Sequence, residues 1–87
     1  MEGFTVTVEQ EMVRLLNEVL SLNGRANSFH AGTALLGALP ELDSMAVLGI
    51  ITAIEDRFAV TVHDDEIDGA TFATLGSLTD FVSAKLA

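Results

Sequence analysis

Apolar residues recur at three- and four-residue spacing in three separate stretches, and that period commits the chain to packed helices. The clearest stretch follows Pro40, where Val47, Ile50, Ile51, Ile54 and Phe58 mark one face of a helix expected over 44–58. Proline disfavours helix at the residue before it, so this helix opens after Leu42, with Asp43 or Ser44 near its first position. Upstream, Thr7 and Gln10 have capping-box spacing, and Glu9 and Glu11 suit the first-turn dipole. Val8, Met12, Leu15, Leu16, Val19 and Leu20 follow as an apolar stripe with Met12 in the core. This first helix is expected over 7–22, stopping at Asn23-Gly24, where glycine can turn left-handed. Downstream, Thr74 suits the cap of a last helix in which Leu75, Leu78, Phe81, Val82 and Leu86 repeat, with Lys85 near its carboxyl end.

Between the first two helices, Gly32, Gly37 and Pro40 interrupt any period, so 24–43 reads as a long loop with one helical turn at 33–36. Loops of such length in compact domains are commonly functional. Phe29, Leu35, Leu36, Leu39 and Leu42 are expected to pin this one across the helices. The extended piece 59–62 is too short for a sheet, and 63–69 is an acidic turn with one short helix nearby. The expected fold is all-α: a small antiparallel four-helix bundle of three main helices plus one short helix, in a single domain over 1–87.

With no cysteine, neither disulfides nor cysteine-ligated zinc can staple the fold, and packing must hold it. The 49% hydrophobic composition makes that feasible. Thirteen acidic residues against four basic ones give a net charge of -9, which disfavours nucleic acids and anionic membranes. No apolar run approaches the roughly 20 residues of a membrane span. The start MEGFTVTVEQE lacks the basic end and apolar middle of a signal peptide. A cytoplasmic monomer is expected.

Three chemistries compete for the polar residues. Asp64, Glu66, Asp68 and Gly69 fall at the first, third, fifth and sixth positions of an EF-hand loop, but the twelfth, which should be a bidentate glutamate, is Leu75. Serine hydrolysis would draw on Ser44 with His30 or His63, yet no glycine-serine-glycine elbow surrounds Ser44. The histidines also lack a second ligand at a metal-binding spacing, and no metal site is expected. Ser44 itself, at the mouth of a helix, is either an ordinary cap or an exposed hydroxyl able to carry a phosphate ester beside the positive end of the helix dipole.

The series Leu42-Asp43-Ser44-Met45, then Ala53-Ile54-Glu55-Asp56-Arg57-Phe58, then Phe72-Ala73-Thr74-Leu75-Gly76-Ser77-Leu78 resembles the acyl carrier proteins. Their attachment motif is Asp-Ser-Leu at the head of the second helix of a four-helix bundle. The resemblance covers nearly the whole chain. It implies that Ser44 receives the 4'-phosphopantetheine arm of coenzyme A from a phosphopantetheinyl transferase, with Asp43 as the neighbouring acid of the motif. It also implies a protein that catalyses nothing. Such a carrier holds acyl groups as thioesters, loaded by an acyl-activating ligase or an acyltransferase or synthase. The chain is similar as well to small carriers encoded beside acyl-activating ligases. A peptidyl or aminoacyl carrier would share the same serine chemistry, and a helical interaction module would use Ser44 only as a helix cap.

Two departures from the family pattern bear on partners. Met45 stands where leucine is usual, a volume-conserving change. The first turns of the second helix, from Met45 through Ala46 and Leu48 to Gly49, carry no acid, which begins only at Glu55 and Asp56. Met45, Ala46 and Leu48 are therefore expected to give an apolar docking face beside the arm, unless Leu48 is partly core. Partner binding at such a face should depend only weakly on salt. Gly49 costs helix stability, which a close approach by a partner or by the short third helix would explain.

Overall fold

The computed structural model describes residues 7–86. Most of the stretch considered above for a leader therefore lies outside the described residues. Three α-helices carry the fold: α1 over Val8–Val19, α2 over Ser44–Phe58 and α3 over Leu75–Leu86. Two 3₁₀ turns, Arg25–Ser28 and Asp64–Glu66, lie in the connections, and the second is all there is of the short fourth helix. Among the described residues no strand forms, and Ala34 and Thr74 make one isolated antiparallel bridge.

Helix α1 is the shared partner, packing against both α2 and α3. Its Met12, Leu15 and Leu16 close on Ile50 and Ile54 of α2 and on Leu75, Leu78 and Val82 of α3 in one buried cluster. Val19, at the end of α1, faces Gly49 in the first half of α2. Arg57, near the end of α2, reaches back to Glu18 at 2.6 Å and to Glu11 at 3.7 Å. The Val19–Gly49 and Arg57–Glu11 contacts, end against start in each case, mark the pair as antiparallel. Leu86 ends α3 exposed, so the last position of the expected stripe lies outside the core.

The capping box at Thr7 forms as its sequence requires: Thr7 Oγ1 accepts from Gln10 N at 3.1 Å, and Gln10 Oε1 accepts from Thr7 N at 2.9 Å. The other end of α1 comes earlier than expected. The left-handed residue that stops α1 is Ser21, with φ 54°, ahead of the positive φ angles of Asn23 and Gly24. The Leu22 amide then closes onto Asn17 O at 3.0 Å, the long hydrogen bond of a Schellman stop. Gly24, with φ 91°, instead opens the Arg25–Ser28 turn. Asn17 holds that turn against α1, its Oδ1 accepting from Ala26 N at 3.0 Å and its Nδ2 donating to Asn27 Oδ1 at 3.1 Å.

The long loop is held by backbone pairing as well as by its apolar side chains. Residues 31–36 run beside 72–76: Leu35 N donates to Ala73 O, Leu36 N to Phe72 O, Leu75 N to Thr33 O and Gly76 N to Ala31 O, all within 2.8–3.0 Å. This is why the helical turn expected at 33–36 is absent: the Leu35 and Leu36 amides are committed across the chain. Leu35 and Leu42 are buried and Phe29 and Leu39 pack on the core, but Leu36 is 44% exposed. The pairing also fills the start of α3, where Thr74 caps as expected, its Oγ1 accepting from Ser77 N at 3.0 Å.

Candidate functional site

Asp43 and Ser44 stand where the long loop meets α2. Leu42 is buried in the core and Val47 packs on it, the two positions of a hydrophobic staple that sets the angle at which the chain enters the helix. Asp43 is extended, with φ -106° and ψ -174°, and its Oδ1 accepts from Ala46 N at 2.8 Å. Asp43 O accepts from Val47 N at 2.9 Å. Asp43 is therefore the cap, and the reading of Ser44 as the capping residue is corrected: Ser44 is the first residue of the helix, exposed, and none of the cap's hydrogen bonds uses its hydroxyl.

Two donors of the first turn, the amides of Ser44 and Met45, are taken neither by the cap nor by the helix. At the start of α3 the equivalent amides, those of Leu75 and Gly76, donate to loop carbonyls. The mouth of α2 thus pairs an exposed hydroxyl with open amides at the positive end of a 15-residue helix. Just ahead of it Arg25 and Glu41 form an ion pair that ties the Arg25–Ser28 turn to the last residues of the loop. The Glu41 carboxyl is held below the usual carboxylate range by backbone hydrogen bonding and by the Arg25 side chain. Periodicity could not reveal this contact, since the partners are 16 residues apart on irregular chain.

Along α2 the expected partner residues divide. Met45 is 75% exposed and Leu48 58% exposed, so Leu48 is surface and not core. Asp56 is exposed too. Ala46 is half-buried against the core. Glu55 turns to the chain's own backbone, its Oε2 accepting from Val62 N at 2.8 Å. Gly49 lies close to α1: a Cβ there would lie 3.3 Å from Val19 Cγ1, and the short Asp64–Glu66 turn is not the close neighbour.

His30 and His63 serve local turns. His30 Nδ1 accepts from Gly32 N at 3.1 Å, and His63 N donates to Glu66 Oε2 at 2.9 Å. The acidic turn is likewise occupied: Glu66 Oε1 pairs with Lys85 Nζ at 2.6 Å, and Asp68 Oδ1 accepts from Thr71 N at 3.1 Å. The hydrogen bond from Lys85, then that from the His63 backbone, holds the Glu66 carboxyl low. Among the described residues no group of three or more His, Cys, Asp or Glu side chains is placed to hold a metal ion.

No curated protein matches the chain. A family model described as the phosphopantetheine attachment site matches residues 10–82. A holo acyl carrier protein from Nitrosomonas europaea, solved by solution NMR, is similar at 49% identity and a TM-score of 0.84, over 91% of this chain and 94% of its own. The chain belongs to the acyl carrier protein family.

Phosphopantetheine is accordingly the covalent prosthetic group of this carrier. The mouth of α2 fits such a group on its own chemistry, for it offers a nucleophilic hydroxyl in solvent and two amide donors suited to an anionic phosphodiester. The all-α fold read from the sequence agrees with that of the similar carrier. Among the described residues no helix is long and apolar enough to cross a membrane.

Proposed function

We propose that Ser44 is the residue to which a phosphopantetheinyl transferase joins the phosphopantetheine arm of coenzyme A, and that the protein is a non-catalytic carrier of acyl groups. The observation that carries this reading is the division of labour at the mouth of α2. Asp43 caps the helix through Ala46 N, and the exposed Ser44 hydroxyl is left with no part in the cap. The arm supplies a terminal thiol that holds acyl groups as thioesters. The protein's own residues position and present. Leu42 and Asp43 fix the first turn, the Ser44 and Met45 amides face the phosphodiester, and Arg57 clamps the far end of α2 to α1 through Glu18. Tethering then raises the local concentration of the acyl group at each enzyme that engages the carrier.

The partners are the transferase and an acyl-activating ligase or an acyltransferase or synthase. Met45 and Leu48 form the apolar face on which they dock, with Asp56 the first outward-facing acid further along α2. The carrier is read as a cytoplasmic monomer of one domain over 1–87, and the net charge of -9 supports the reading that it has no nucleic-acid or anionic-membrane partner.

Intact mass of the apo chain after incubation with coenzyme A and a broad-specificity transferase tests the assignment. The expected result is a gain of one arm per chain that Ser44→Ala abolishes while circular dichroism shows the helices retained. A wild-type chain that stays bare, or a Ser44→Ala chain that still gains mass, overturns it. Repeated across a salt series, the same assay should show only a shallow loss of rate, because the docking face near Ser44 is uncharged.

A further inference from the structure

The two methionines among the described residues occupy opposite environments. Met12 is fully buried in the core. Met45 is 75% exposed in the first turn of α2, immediately after Ser44, and Leu48, three residues on and along the same side of the helix, is 58% exposed. Leucine, usual at this position in the family the chain resembles, would give the same apolar bulk. Methionine adds a thioether, a sulfur that two-electron oxidants attack where leucine is inert.

We propose that Met45 is a reversible oxidation site controlling access of partner enzymes to Ser44; the control step rests on the docking face described above. A peroxide is the co-reactant. Hydrogen peroxide transfers one oxygen atom to the Met45 sulfur, the O–O bond breaks, the sulfide is oxidised to the sulfoxide and the peroxide is reduced to water. A methionine sulfoxide reductase reverses the step, two thiols becoming a disulfide as the oxygen leaves as water. Selectivity comes from access: Met45 is 75% exposed, whereas Met12, on the inner face of α1, is fully buried. The consequence comes from polarity. A sulfoxide is a strong hydrogen-bond acceptor, and docking would press it against an apolar partner surface with no donor to satisfy it. Leu48 alone would then have to hold that face.

The test uses the apo chain, so that no arm thiol competes for oxidant. It is treated with dilute hydrogen peroxide, cleared with catalase and desalted before coenzyme A and transferase are added. Peptide mapping should place the added oxygen on Met45 at least tenfold faster than on Met12, with Met1 scored on its own peptide. The rate of arm attachment should fall roughly tenfold, the effect of losing most of one buried methionine contact. Reductase with dithiothreitol should restore it. Met45→Leu, whatever its starting rate, should keep that rate after peroxide. Equal oxidation of Met12, undiminished loading of the Met45 sulfoxide, or equal slowing of Met45→Leu overturns the proposal. An untreated chain that takes up no arm overturns the Ser44 reading and the control step with it, while the peptide map still decides the oxidation site.

Discussion

Asp43 commits its carboxylate to the Ala46 amide, whereas the neighbouring Ser44 hydroxyl faces solvent. Stability measurements should separate the two. Removing a capping side chain costs about 1 kcal/mol, and exposed first-turn positions tolerate alanine within about 0.5 kcal/mol. Asp43→Ala is therefore expected to lower the urea midpoint by the equivalent of about 1 kcal/mol, Asp43→Asn to recover most of it, and Ser44→Ala to leave it nearly unchanged. A Ser44→Ala loss as large as that of Asp43→Ala would mean that the serine supports the fold after all. At this scale the sequence was legible as far as residue type goes: Pro40, Asp43 and the apolar run from Val47 located the helix start. Which of Asp43 and Ser44 caps it depended on one backbone dihedral pair that residue type does not fix.

The ends of elements show where local pattern stops being informative. Thr7 and Thr74 lie beside the amides they cap, so both helix starts could be read directly. The end of α1 could not, because a serine and not a glycine takes the left-handed position, with φ 54°. The 31–36 segment was misread for another reason: its partners lie at 72–76, some forty residues on, and no local period reports them. The two helical glycines carry this lesson into measurement. A methyl at Gly49 would meet only the side chain of Val19, at 3.3 Å, whereas a methyl at Gly76 would lie 2.8 Å from the Ala31 carbonyl oxygen. Alanine gains about 1 kcal/mol over glycine in a helix, and forcing atoms into a filled site costs about 1–3 kcal/mol. Gly49→Ala should accordingly be near neutral and become stabilising by about 1 kcal/mol once Val19→Ala makes room. Gly76→Ala should destabilise by about 2 kcal/mol, since backbone cannot rotate aside as a side chain can. Thermal or urea melts of wild type, the two glycine variants, Val19→Ala and the Val19→Ala/Gly49→Ala double variant read out the contrast, and a stabilised Gly76→Ala would show that the pairing of 31–36 with 72–76 is loose.

Over the whole molecule, excess negative charge and a few specific ion pairs pull stability in opposite directions. All four basic side chains are engaged: Arg14 with Glu11, Arg25 with Glu41, Arg57 with Glu18 and Glu11, and Lys85 with Glu66. The other exposed acids, Asp56, Asp65 and Asp80 among them, contribute mainly repulsion within a chain of net charge -9. The paired Glu41 and Glu66 are stabilising instead, because both are held below the ordinary glutamate value in the folded protein. Their stabilisation is complete above that value and is lost as pH falls through the lower folded one. The melting temperature should therefore fall as the pH drops below about 4 and these two carboxyls take up protons. Glu66→Gln isolates the Lys85 pair, which joins the acidic turn to the end of α3. Its melting temperature should lie below wild type at pH 7, and the gap should close over roughly pH 5 to pH 3 as the wild-type carboxyl takes up its proton. A gap that persists at pH 3 would mean that the variant damages packing around the Asp64–Glu66 turn, and that the ion pair is not what fastens this turn to α3.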